Sequence, residues 1–238
     1  GMIHWPLKQW TWYDGSSQED IDHYYFAITL TAQKMVADFG PEHFDRVMGR
    51  SMLTKSVNLM ADAYHPRLHR FIAGSSRTAT HHLLVTQDGL YHILHTLSPD
   101  GVLRDLENEQ IPKKLPLIGH DLRPGQVARQ TAVSPWAPEW VSNMVDKKPV
   151  PYQVTSAYTM WGGHRKHPIM RRQYQGRDVG LYSANAQTGN IPILGHWRRA
   201  TDETRMQNIV TMLMRFGINQ TRLVNDAGGW IATYGSQA

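Results

Sequence analysis

The β-favouring runs of this chain are separated by tight-turn chemistry and not by regular helical stretches, which restricts how its strands can pair. Gln87-Asp88-Gly89, Ser98-Pro99-Asp100-Gly101 and Gln187-Thr188-Gly189-Asn190 each join neighbouring runs. Asp and Gly tolerate the positive φ that short connections need. Parallel strands require a crossover of about a dozen residues or more, usually a helix, so an antiparallel sheet is expected. Arg67 to Ala73, Thr80 to Thr86, Leu90 to Leu97 and Val102 to Leu106 read as a meander. Tyr152 to Met160, Val179 to Ala186 and Ile191 to Arg199 read as a second antiparallel set. Arg222 to Asn225 and Trp230 to Tyr234 flank Asp226-Ala227-Gly228-Gly229, the pattern of a closing hairpin. No G-x-G-x-x-G and no Walker P-loop is present, which also argues against a doubly wound nucleotide-binding fold.

Helical signals lie before and after these runs. Ser16 and Ser17 precede the acidic pair Glu19 and Asp20, and Ile21, Tyr24, Tyr25, Ile28, Met35, Val36 and Phe39 then recur at helical spacing. Gly40 and Pro41 stop that helix and start another, with Phe44, Val47, Met48, Leu53, Val57 and Met60 as its apolar positions to about Tyr64. Trp5, Trp10 and Trp12 ahead of the pair are too dense for a solvated tail and are expected to dock on the fold. Prolines from Pro112 to Pro151 predict an irregular middle third with a short helix over Ala137 to Val145. Thr201, the acids Asp202 and Glu203, the stripe Met206, Ile209, Val210 and Leu213, and Gly217 predict a further helix packed on the sheet. The expected class is α+β: an antiparallel meander with an amino-terminal helical pair and a carboxy-terminal helix. Residues 1–64 and 65–238 form its two regions, as separate units or as one continuous domain.

With 238 residues, 41% of them hydrophobic, the chain can bury a substantial core. The absence of cysteine excludes disulfides, thiolate nucleophiles and every sulfur-bound metal site. No apolar stretch approaches the length of a membrane span, and the basic-then-apolar pattern of a secretory leader is missing, so a cytoplasmic protein without membrane partners is expected.

Charge is distributed unevenly. Between Met160 and Ala200 lie seven basic residues against the single acid Asp178, a local charge of +6 in a chain of net charge +5. Such a concentration attracts anions. His164, Arg165 and His167 follow Gly162-Gly163 and suit an anion-binding turn, to which Arg171, Arg172 and Arg198 on neighbouring strands could add. Strand alternation would place Arg171 and Arg172 on opposite faces, and likewise Arg198 and Arg199. Trp161, Tyr174, Tyr182 and Trp197 are interleaved with these arginines and could stack on bases. His120-Asp121, with His92 or His95 upstream and His164, His167 or His196 downstream, resembles the paired ligands of HD-type metal phosphohydrolases. That site is disfavoured, because His92 and His95 on a strand face opposite sides. No G-x-S-x-G or H-E-x-x-H motif supports an enzyme, Asp226 is explained by its glycine-rich hairpin, and the motifs leave any cofactor unknown.

Pro149-Val150-Pro151-Tyr152, the strand from Val154 to Met160, the hairpin Val179 to Trp197 and the helix from Thr201 together resemble the closing half of a PAS-type sensor domain. The resemblance implies a pocket between sheet and helices and a homodimer through flanking helices, a role open to the amino-terminal pair. The leading expectation is a small-molecule-binding or sensory domain with a basic site for an acidic ligand, lined by His164, Arg165, His167, Arg171, Arg172, Trp197 and Arg198. The alternatives are a nucleic-acid-binding protein of a mobile element or phage, and a metal-dependent phosphohydrolase using His92, His120 and Asp121.

Overall fold

The computed structural model describes residues 21, 25–74, 89–97, 134–158, 169–184, 193–199, 209–215, 223–226 and 229–233. Two helices, α1 (Tyr25–Phe39) and α2 (His43–Ala63), lead into a two-stranded ladder of β1 (Tyr64–His65) and β2 (Arg70–Phe71). Then come α3 (Gly89–Leu97), α4 (Glu139–Lys147), β3 (Tyr152–Tyr158), β4 (Ile169–Gln175), β5 (Val179–Ala184), β6 (Ile193–Arg198), β7 (Ile209–Arg215), β8 (Leu223–Asp226) and β9 (Gly229–Thr233). The expected α+β class with antiparallel pairing is what forms: β3 to β7 make consecutive antiparallel pairs in a seven-stranded sheet of order β3-β4-β5-β6-β7-β9-β8. The closing hairpin also forms, with Asp226 opposite Gly229. It docks through β9, parallel to β7, an arrangement the turn chemistry did not indicate.

Two segments differ from their expected state. Leu90 to Leu97 is helix α3 and not a strand. Leu90, Ile93, Leu94 and Leu97 are buried, an i, i+3, i+4, i+7 stripe that satisfies helical period where a strand would scatter it over both faces. Residues 209–215, expected in the carboxy-terminal helix from Thr201, form strand β7. Ile209, Val210 and Thr211 are consecutive β-branched residues, and alternation buries Ile209 and Thr211 while leaving Val210 and Met212 half-buried. The closing helix of the PAS-like element order is therefore a strand over these residues. The expected strands Thr80 to Thr86 and Val102 to Leu106 lie outside the described residues, as do the Trp-rich start, the cap at Ser16 and Ser17, and Thr201 itself.

One apolar core joins the layers: Phe26, Leu30, Leu53, Val57 and Met60 of the helical pair share a cluster with Tyr182, Leu194 and Ile209 of the sheet. The helices approach at backbone distance, since a Cβ on Gly49 would stand 2.6 Å from the Ala37 nitrogen. The helical layer is anchored to the sheet at the end of α2. Lys148 Nζ donates to the carbonyls of Ala61 (2.6 Å), Asp62 (2.8 Å) and Tyr64 (2.6 Å), at the end of the helix where the intrahelical amide pattern runs out. Gln175 Nε2 donates to the Asp62 carbonyl and Tyr152 Oη to the Asp62 carboxylate, so β3 and β4 are held to the same terminus. Burial lowers the Lys148 ammonium to about 7, opposed by the Asp62 carboxylate.

The β1–β2 loop packs on the β4–β5 hairpin. His65 Nε2 lies 2.8 Å from the Gly176 carbonyl, and His69 takes a positive φ of 53° in the turn. Ile72 occupies the space over Gly180: a Cβ there would stand 2.7 Å from Ile72 Cγ1 and closer still to Cδ1. Gly180→Ala is expected to cost about 1–3 kcal/mol through overpacking. In a double-mutant cycle by urea denaturation, Ile72→Ala should recover part of that loss, and strict additivity would refute the contact as its cause.

Candidate ligand-binding face

Alternation along β3 to β6 divides the sheet into two faces of different chemistry. Arg171, Gln173, Gln175, Gly180, Tyr182, Leu194 and His196 are buried towards the core, whereas Gln153, Thr155, Arg172, Leu181, Ser183 and Trp197 are exposed on the other side. The register aligns the open residues in rows: Thr155 opposite Arg172, Arg172 opposite Ser183, Ser183 opposite Ile193. The next row holds Gln153, Tyr174, Leu181 and Gly195. A groove of about 430 Å³ lies over these rows, with Gln153, Thr155, Arg172 and Ser183 as its polar part and Tyr174, Leu181 and Ile193 as its apolar part.

Gly195 keeps the floor low beside this groove. The Leu181, Met212 and Trp197 side chains stand around the missing Cβ at 3.4 to 3.7 Å. Tyr174 leans towards the hairpin, its hydroxyl 3.1 Å from where a Gly176 Cβ would be. The result is an open amphipathic surface with a guanidinium at one side. Arg172 has no hydrogen bond or ion pair among the described residues, so its charge is available to a ligand.

Arg171, Arg177 and Arg198 of the basic segment are engaged elsewhere. Arg171 is buried on the core face and donates through Nε to Ser156 Oγ. The Arg198 side chain, also turned inward, donates to the Arg67 carbonyl and pairs with Asp178 at 3.6 Å. Asp178 also receives Arg67 and Arg177, so a single carboxylate holds three guanidiniums at the β4–β5 hairpin. The expected split of Arg171 from Arg172 is observed; Arg199 is exposed just beyond β6 while Arg198 is drawn in.

Of the expected ligand residues, Arg172 and Trp197 share the open face and Arg171 and Arg198 do not. His164, Arg165, His167 and Trp161 lie outside the described residues. Tyr182 is buried, its neighbours Gln173 and Leu194 on the core face, and Tyr174 is on the open side. The sequence reading missed Gln153, Thr155, Leu181, Ser183 and Ile193, which have no charge or motif to mark them. They lie on β3, β5 and β6, and only the pairing register with β4 brings them together.

For metal chemistry, His92 and His95 stand three residues apart on helix α3, so the objection that they diverge on a strand falls. His120 and Asp121 lie outside the described residues. Among the described residues no group of three or more His, Cys, Asp or Glu could hold a metal ion, and no helix is long and apolar enough to cross a membrane.

No protein-family model, curated protein or solved structure matches the chain.

Proposed function

We propose that the open face of β3 to β6 binds a small acidic ligand with an apolar body, its anionic group on Arg172 and its hydrocarbon or aryl part on Tyr174, Leu181 and Ile193. The observation that carries this reading is a guanidinium without a partner among the described residues, beside apolar side chains in one groove. A carboxylate or phosphate offers Arg two parallel acceptors, and apolar neighbours raise the strength of that pair by lowering the local dielectric. Gln153, Thr155 and Ser183 supply the neutral hydrogen-bonding groups that set orientation. Binding to the nucleic-acid backbone instead requires several cations on one surface. Arg171 and Arg198 are turned to the opposite face and add nothing to Arg172.

Anilinonaphthalene sulfonate combines an aryl body with an anionic group and reports binding by fluorescence. A saturable site on the native protein is expected, weakened about tenfold or more by Arg172→Gln, the value of one charge-assisted hydrogen-bonded pair. Leu181→Asp should weaken it as well. Arg171→Gln should lower stability because it leaves Ser156 without its partner, while sparing affinity. Equal affinity in wild type and Arg172→Gln would refute the reading.

A further inference from the structure

Helix α1 is apolar on its outer face as well as on the inner face that Phe26, Ala27, Leu30 and Ala37 bury in the core. Its only charged residues, Lys34 and Asp38, form an ion pair on the inner side, their side chains 4% and 2% exposed. Arg50 Nη2 and Ser134 Oγ complete the shell around Asp38, so these charges are consumed within the fold. The outward face holds Ile28, Ala32, Met35 and Phe39, at spacings of four, three and four residues that keep them within one narrow stripe. These four side chains are all apolar.

Helix α2 also exposes apolar residues at its start. Gly40-Pro41-Glu42 turns the chain, and Phe44, Val47 and Ser51 are exposed along the first turns of the next helix. Ile28, Met35, Phe39, Phe44 and Val47 are 39 to 61% exposed. A helix with apolar residues on both faces is expected to be covered on both.

We infer that this stripe is a homodimer interface in which α1 and the start of α2 pack on the same elements of a second copy. A two-fold interface presents one patch to itself, and the apolar stripe residues can do so without placing like charges opposite each other; the exposed Glu42 lies in the turn between the two helices. About half of the surface of five large apolar side chains amounts to roughly 500 Å² on each copy, so on the order of 1,000 Å² across two copies, the lower bound of a stable interface. Neighbouring atoms of the two helices add to it.

Sedimentation equilibrium of the whole chain at about 50 µM, a concentration suited to an interface at that lower bound, should give twice the monomer mass of 27.2 kDa. Met35→Glu with Phe39→Glu should give the monomer with an unchanged circular dichroism spectrum. A monomeric wild type would overturn the inference, as would a dimer that survives both substitutions. Should the glutamate variant fail to fold, the absence of native cysteine allows a single reporter. Ala32→Cys on the stripe, a change of small side chain for small, should cross-link to dimer with a short bismaleimide, and Glu139→Cys on α4 should not. Equal cross-linking by the two would also overturn it.

Discussion

Acidification from about pH 7 to about pH 4 is expected to remove on the order of 5 kcal/mol of stability, enough to unfold many domains of this size. His65 at the end of β1 and His69 in the turn that follows cause it. Burial lowers His65 from 6.5 to about 4, and burial reinforced by Arg70 and Arg198 lowers His69 to about 3. His65 is built to be neutral: its Nδ1 accepts from the amides of Arg67 and Leu68, and its Nε2 faces the Gly176 carbonyl. A second proton would arrive on Nδ1, pointing at two N–H donors. Because both folded values lie below the unfolded one, the unfolded chain binds more protons between about pH 3 and 6.5. The contribution of the pair is therefore complete above about pH 6.5 and falls as the pH descends through that window. Urea midpoints across the range measure it, and a flat profile from about pH 7 to 4 would refute the assignment. His65→Gln should flatten the profile while lowering the plateau.

The second large effect belongs to Lys148. Lys148→Met leaves the carbonyls of Ala61, Asp62 and Tyr64 without their shared donor and removes the contact between Nζ and Gln175 Oε1 at 3.3 Å. Hydrogen bonds from a charged donor are worth about 1.5–3 kcal/mol each, offset here by the donors that two of the acceptors keep, Gln175 Nε2 on Asp62 and the Tyr64 amide on Ala61, so a loss of about 3–5 kcal/mol is expected, or roughly 10 °C in melting temperature. Lys148→Arg should recover little, because a planar fork cannot point three N–H bonds at carbonyls clustered around one atom. Calorimetry of the three proteins decides it; a melting temperature within about 2 °C of wild type for Lys148→Met would refute this role.

The element types were legible wherever local chemistry and tertiary demand agreed. The α1–α2 boundary at Gly40-Pro41, the short helix over 139–147, strands β3, β5 and β6, and the last hairpin all follow from turn residues and periodicity. Periodicity misled where a residue's apolar character did not mean burial: Ile28, Phe39 and Phe44 set the sequence-derived helix faces, yet they are exposed, and Lys34 and Gln33 are buried in their place. Strand β4 was legible only in the split of Arg171 from Arg172, for the converse reason. Its core-facing residues Arg171, Gln173 and Gln175 are polar, so hydropathy alternation along Ile169–Gln175 vanishes although the burial alternation persists. The groove inherits that difficulty, since the placing of Arg172 and Tyr174 depends on β4's register. Arg172 and Trp197 could be named in advance because charge and aromaticity mark a residue without reference to register.

Strand β9 follows β8 in the chain yet lies between β8 and β7. Chain order therefore differs from sheet order. Until residues 229–233 join them, residues 223–226 have no partner strand and the row of β7 groups that β9 occupies is open. A competing shortcut, in which β8 takes β9's place beside β7, is outrun by the hairpin closing on itself, a local event of microseconds. Sequence proximity of β8 and β9 thus lets the correct pair form first and dock on β7 as a unit.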